Sequence, residues 1–293
     1  MFYRRKVILS LLEVFGGELD RMHLQKLLFL FSQKQDKPEY DFVPYKFGCY
    51  SFSANADILT MEKTGQLTEI ANTIIKNESV SYVSQLKKGD LAVLEFVKSE
   101  YGKMSMCELK KYTYLNYPYY ATQSEVAETT LSKNELLRVA EARPHYAGTI
   151  LFTIGYEGIS LEEYLNRLLK NDVKLLVDVR KNALSMKYGF SKSQLSKYCN
   201  NLGIEYFHIP EVGIESDKRQ ELRVQEDYDR LFENYSNNLS GSKDFQLKIF
   251  ELLKTKKRIA LTCFEADINR CHRKHLAEAI KNLPGFNYEV RHI

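Results

Sequence analysis

The sequence predicts a two-part chain, a mostly helical N-terminal domain followed by an α/β domain whose sheet is mainly parallel and doubly wound. Three observations carry this. Residues 1–143 read as short amphipathic helices, residues 148–293 alternate apolar strands with amphipathic helices, and a polar cluster stands where a strand runs into a helix at Ile259 to Arg273, IALTCFEADINRCHR. Strand and helix in alternation imply parallel strands joined by helical crossovers.

The first helix is expected over Arg4–Phe15, where Val7, Ile8, Leu11, Leu12 and Phe15 recur at helical spacing, and the second over Met22–Gln33 with Leu24, Leu27, Leu28 and Phe31 turned inward. Between it and a third helix at Phe52–Thr64 lies Tyr40–Ser51, YDFVPYKFGCYS, whose alternating aromatics and Gly48 suggest a short extended turn. A fourth helix follows at Lys88–Tyr101. Val7, Ile8, Leu11, Leu27, Leu28, Phe31 and Ile58 are expected to form the core, with Tyr45 and Tyr50 bracing the turn. The boundary falls in Ala142–Gly148, ARPHYAG. Beyond it, apolar strands are expected at Thr149–Ile154, Lys174–Val179, Glu205–Ile209, Arg258–Thr262 and Tyr288–Ile293, with helices beginning near Ser160, Ser191, Asp227 and Cys271.

Composition narrows the functional classes. The 293 residues suffice for two domains that each bury a core. Residues 1–147 hold 19 Lys+Arg against 18 Asp+Glu and the remainder 23 against 20, so neither half is a strongly basic module and any nucleic-acid contact must come from a local patch. Five scattered cysteines, an odd number, argue against a disulfide framework and for a reducing cytoplasm. The basic residues at the N-terminus precede an apolar run, as in a signal peptide, but Glu13 interrupts it and no small-residue cleavage site follows. No run approaches the roughly 20 apolar residues of a membrane span, and no membrane partner is expected.

Chemistry is expected at the strand ends of the second domain. A structural strand-to-helix turn calls for Gly, Asn or Ser, whereas the loop after Thr262 holds Cys263, Glu265, Cys271, His272 and Arg273. It lies where open α/β sheets bind ligands and where free helix N–H groups favour anions. Thr153, Gly155, Tyr156 and Glu157 follow the first strand, Asp178 and Arg180 end the second, and His208 ends the third, so all four groups converge on one sheet edge. Cys263, Glu265, Glu157, Asp178 and His208 are the catalytic candidates; Thr153, Gly155, Tyr156, Arg180, Cys271, His272 and Arg273 are the binding candidates. Cys263 would be a nucleophile made reactive by the helix N-terminus and Arg273 or His272. Arg180 and Arg273 would clamp a phosphate or carboxylate, and Glu157, Asp178 or Glu265 would be the base.

Plainer readings stand beside these. Asp178 can form a buried ion pair with Arg180 or Arg273, His208 can be a satisfied core histidine, and the thiols can be packing groups. Cys263, Cys271, His272 and His208 could hold zinc, but C-x7-C-H matches no standard zinc pattern, so no metal is assigned and no cofactor is named. Arg270 stands seven residues after Cys263, which excludes a C-x5-R phosphatase loop.

TIGYEG, VDVR, FHIPEVG, CFEADINRCHR and the terminal VRHI together resemble, in order, the motif series of the prokaryotic domain-of-unknown-function family 488, over residues 148–293. The resemblance implies a compact α/β domain and a candidate site, and names no reaction. Tyr156 stands where that family commonly has His, and Glu157-Gly158 where it has Ser-Asn, so no role is carried over to these positions. LQKLLFLFSQK, FVPYKFGCYS and a helix ending in EKTGQL are similar to the Panacea-type, SocA-like antitoxin domain, with Cys49 in place of a Pro. That resemblance implies a winged-helix-like binding module.

Together these readings lead to the expectation of a hydrolase or transferase acting on a nucleotide or nucleic acid, with residues 1–143 locating the substrate or a partner protein. The company these two families keep adds a prokaryotic defence or toxin–antitoxin setting, by analogy alone. The alternative is a non-catalytic nucleotide sensor or DNA-binding regulator, which should present Arg21, Lys26, Lys34 and Lys46 on one exposed face.

Overall fold

The computed structural model describes residues 1–215 and 224–293, which divide into two compact units, Met1–Arg143 and Pro144–Ile293.

The first unit runs α1 (Tyr3–Val14), β1 (Glu18–Asp20), α2 (Arg21–Ser32), β2 (Val43–Tyr45), β3 (Gly48–Tyr50), α3 (Phe52–Lys63), β4 (Leu67–Ile70), β5 (Thr73–Lys76), α4 (Lys88–Tyr101), α5 (Met106–Asn116), α6 (Ala127–Thr130) and α7 (Lys133–Glu141). Local chemistry sets several of the starts. Asp20 accepts from the amides of Met22 and His23 to cap α2, and Ser51 accepts from Ala54 to cap α3. Val7, Ile8, Leu11, Leu27, Leu28, Phe31 and Ile58 are all buried in one cluster. The turn at 40–51 is a two-stranded hairpin, with Gly48 at φ +93° and the Tyr45 and Tyr50 rings 5.2 Å apart. Strand pairing goes beyond the helical reading of this half: β1, β5 and β4 form an antiparallel sheet in that order. Helices α5 to α7 were also absent from the expected set.

The second unit runs β6 (Ile150–Gly155), α8 (Leu161–Lys170), β7 (Leu175–Asp178), α9 (Lys192–Asn201), β8 (Glu205–His208), α10 (Gln225–Asn238), α11 (Lys243–Lys256), β9 (Arg258–Cys263), α12 (His272–Lys281) and β10 (Glu289–His292). All five strands are parallel, in the order β10-β6-β9-β7-β8. The central strands β6, β9 and β7 are buried along their whole length, as strands covered on both faces should be. Leu151, Val177, Ile259 and Leu261 pack with Ile249, Phe250 and Leu253 of α11 and with Leu276 and Ile280 of α12. Thr262, one residue on from Leu261 and so on the opposite face, accepts a 2.8 Å hydrogen bond from Tyr164 of α8. Helix α11 was not anticipated, although Phe245, Ile249, Phe250 and Leu253 carry its spacing.

The register decides where chemistry can occur. Gly155 pairs with Cys263, Thr262 with Asp178 and Asp178 with His208, so the ends of four strands meet at one edge of the sheet. Among the described residues no helix is long and apolar enough to cross a membrane.

Leu28 is 1% exposed at the centre of the first core, and truncating it leaves a cavity that close packing cannot refill. Leu28→Ala should therefore lower the unfolding free energy by about 2–5 kcal/mol in chemical denaturation; a loss well under about 1 kcal/mol would show that the α2 register is wrong.

Candidate functional site

At the end of β9 the chain folds back across the end of β6. A Cβ on Gly155 would lie 1.9 Å from the Glu265 carbonyl oxygen, so only glycine allows this approach. The amides of Tyr156 and Glu157 both donate to the Phe264 carbonyl, at 3.0 and 2.9 Å. The Ala266 amide donates to Glu157 Oε2 at 3.0 Å, and Arg273 donates Nη1 to the Glu265 carbonyl and Nη2 to that of Ala266. Residues 264–266 are thus held by both neighbouring segments. Close approach thus accounts for a glycine at 155, and Glu157 and much of Arg273 are bonded to the loop.

Cys263 lies beneath that loop. Its Sγ donates to Glu265 Oε2 at 3.2 Å and stands 3.6 Å from His272 Nδ1. His272 Nε2 is 3.1 Å from the Val179 carbonyl, an acceptor, so Nε2 carries the proton and Nδ1 offers its lone pair toward the sulfur. Cys271 completes the cluster: one ligating atom from each of Cys263, Cys271 and His272 lies within 4.8 Å of the other two. All three are buried, at 2%, 0% and 1% exposure, which keeps bulk water from stabilising any charge they carry. Burial, followed by the neighbouring Cys263 sulfur, pushes the Cys271 thiol well above its usual range.

Arg180 is committed as well. Its Nε donates to both Asp178 oxygens at 2.8 and 3.1 Å, Nη2 donates to Oδ2, and Nη1 reaches the Tyr156 hydroxyl at 2.6 Å. Asp178 also accepts from the Tyr206 hydroxyl at 2.6 Å. Burial opposes the guanidinium charge, but Asp178 and Tyr156 more than offset it and hold Arg180 protonated. The clamp expected of Arg180 and Arg273 therefore closes on groups of the protein itself. His208 sits one strand further out, its Nε2 2.8 Å from the Arg180 carbonyl, and Thr153 lies within the sheet, its hydroxyl 2.7 Å from His292 Nδ1. Neither joins the Cys263 cluster.

Above the cluster is a cavity of about 210 Å³ lined by Tyr156, Arg180, Lys181, Asn182, Ser185, Cys263, Phe264 and His272, among others. Tyr156 stacks on Phe190 at 4.2 Å, and the half-exposed Phe264 meets its edge at 5.3 Å. Phe264 also borders a second cavity of about 230 Å³, into which Glu157, Glu265, Asp267 and Arg270 face. Sequence reasoning missed Lys181, Asn182 and Ser185, which sit in an irregular segment without periodicity.

Residues 160–280 match the family described as Domain of unknown function DUF488. The C-terminal half carries a domain of this family. VDVR, FHIPEVG and CFEADINRCHR fall inside the matched stretch, whereas TIGYEG and VRHI lie outside it, on the strands β6 and β10 that pair with each other. No curated protein matches the chain.

The Asp178–Arg180 pair is buried on both sides, at 0% and 6% side-chain exposure. Removing one partner strands the other, so Asp178→Asn should cost about 3–5 kcal/mol in denaturant unfolding. A change within about 0.5 kcal/mol would mean the pair does not hold the sheet edge together.

Proposed function

We propose that the C-terminal domain is an enzyme, a hydrolase or transferase, acting on a nucleotide or nucleic acid bound over the Cys263 cluster. The observation that carries this reading is the composition of the cavity walls. Lys181, Asn182 and Ser185 offer donors suited to a phosphate, Phe264 offers a ring on which a base can stack, and the floor is Cys263 with His272. Glu265, in contact with Cys263, is the base in this reading. Phosphate recognition passes from the two committed arginines to Lys181.

The N-terminal unit is read as a winged-helix-like module of the Panacea type. Its order is helix, strand, helix, a two-stranded hairpin, a third helix and two strands, with β1 paired to β5, and the reading takes β4 and β5 as the wing. Its cations favour a protein over duplex DNA as partner: Lys26 is buried with Nζ on the Cys49 carbonyl, and Arg21 is paired with Glu62 and Glu69, so the basic face a DNA regulator would need is not formed by these residues.

Binding of nucleoside mono-, di- and triphosphates and of a single-stranded oligonucleotide to the full chain tests the proposal, with turnover followed on the same samples. Lys181→Ala should weaken binding about tenfold or more, the worth of one charge-assisted hydrogen bond. Glu265→Gln should bind normally and lose about a hundredfold or more in turnover. Saturable binding without turnover in the unaltered protein would instead make the domain a sensor, and no binding to any of these ligands would end the nucleotide reading.

A further inference from the structure

We propose that Cys263, Cys271 and His272 hold a zinc-type divalent cation at the floor of the cavity, with Glu265 beside it. The three donors are a soft pair of sulfurs and an imidazole nitrogen, the set that selects zinc over magnesium or calcium. Their mutual approach within 4.8 Å is close to what a shared ion requires, since ligand atoms on one tetrahedral zinc stand about 3.5–3.8 Å apart. The Cys263 to His272 separation, 3.6 Å, already falls in that range.

The second observation is the orientation of His272. A histidine that ligates a metal donates its other ring N–H to a carbonyl or carboxylate, which fixes the tautomer and aims the lone pair. The Val179 carbonyl does this at 3.1 Å and leaves Nδ1 on the side of the two sulfurs. This acceptor lies directly after β7, so the sheet itself sets the ring.

Electrostatics supply the third argument. The half-buried Glu265 carboxylate stands 3.2 Å from the Cys263 sulfur, so a group that carries negative charge when ionised lies beside the three donors and suits a cation there. Arg273, the neighbouring guanidinium, spends Nη1 and Nη2 on the backbone carbonyls of Glu265 and Ala266.

The loop that carries the donors is built to be still. Residues 264–266 are pinned over Gly155, and Asp267 accepts from the Asn269 amide at 2.9 Å to start a 3-10 turn at Ile268–Arg270 that delivers Cys271 to the N-cap of α12. Pre-organised donors lose little freedom on binding an ion. Cys263 and His272 line the cavity, so an ion they shared with Cys271 would border it and could keep a position open toward it. Three protein ligands and an open fourth position are the arrangement of a catalytic zinc, which brings the pKa of its bound water down to about 7. Cys263 would then be a ligand and not a nucleophile, and Glu265 would stand beside the ion.

What the ion does here rests on the nucleotide reading; that it is present does not. Metal is measured without nucleotide, so either conclusion can fail alone. Full-length protein purified without chelator and without an immobilised-metal column should contain about one equivalent of zinc per chain by plasma mass spectrometry. Cys263→Ser, Cys271→Ser and His272→Gln should each lose most of it, while Cys107→Ser, at an exposed thiol outside the cluster, should keep it. Should those variants fail to fold, the unaltered chain still decides: after removal of metal and addition of Co²⁺ alone, it should show the thiolate-to-cobalt charge-transfer band of a site with two sulfur ligands. Absence of both zinc and that band in the unaltered protein overturns the proposal, as does zinc retained in a folded Cys263→Ser/Cys271→Ser double variant.

Discussion

The contact on which the reactive edge of the α/β domain depends is the seat of the Glu265 carbonyl over Gly155. Backbone rarely lies this close to backbone outside a hydrogen-bonded ladder, because a side chain normally intervenes; here the space a Cβ would occupy is filled by the carbonyl oxygen itself. The peptide groups this exposes to burial must then be satisfied, and they are. Phe264 accepts two amides from the turn after β6, while Arg273 donates to Glu265 and Ala266. A glycine on one strand, an arginine on the following helix and a carboxylate at position 157 thus fix a loop that belongs to none of them. Cys263, Glu265 and Cys271 owe their positions to that loop.

A second constraint lies one strand away. Burying Asp178 and Arg180 is tolerable because each satisfies the other, with Tyr156 and Tyr206 taking the remaining hydrogen-bonding capacity. The pair lies at the end of β7, where the chain must turn outward immediately after Val179. That turn brings the Val179 carbonyl to His272 and the Arg180 carbonyl to His208. The ion pair therefore bears on the site through the backbone as well, since it holds the segment that orients the imidazole.

Much of this was legible in the sequence, and the failures have definite causes. The five strands, the four helices beginning near Ser160, Ser191, Asp227 and Cys271, and the seven expected core residues of the first unit follow from periodicity, which burial enforces directly. The regulator alternative asked for Lys26 on an exposed basic face, where charged residues usually lie. Helix α2 is buried on nearly every side from Leu24 to Ser32, however, and Gln25 and Lys26 spend their polar groups on the backbone of Ser51 and Cys49. No periodicity can show that a polar residue will be buried against a backbone acceptor from another element. Arg180 poses a related difficulty: a guanidinium just after a strand looks the same in sequence whether its partner is a ligand or an Asp two residues earlier.

The cysteine cluster shows the same limit from the other side. C-x7-C-H is an unfamiliar spacing because familiar metal patterns describe ligands brought together by a single hairpin or helix turn, in which sequence distance and spatial distance are tied. Here one donor ends a strand and two open a helix, and the seven residues between them are shortened by the fold-back over Gly155 and by the 3-10 turn before Cys271. Neither device is written in the spacing of the donors. The same fold-back that brings the sulfurs together also places Glu265 against Cys263, so the gathering of these groups is a consequence of how the loop is held. A site assembled in this way must either keep its thiols protonated or recruit a cation, and His272, with its proton directed at the Val179 carbonyl, is oriented for the second.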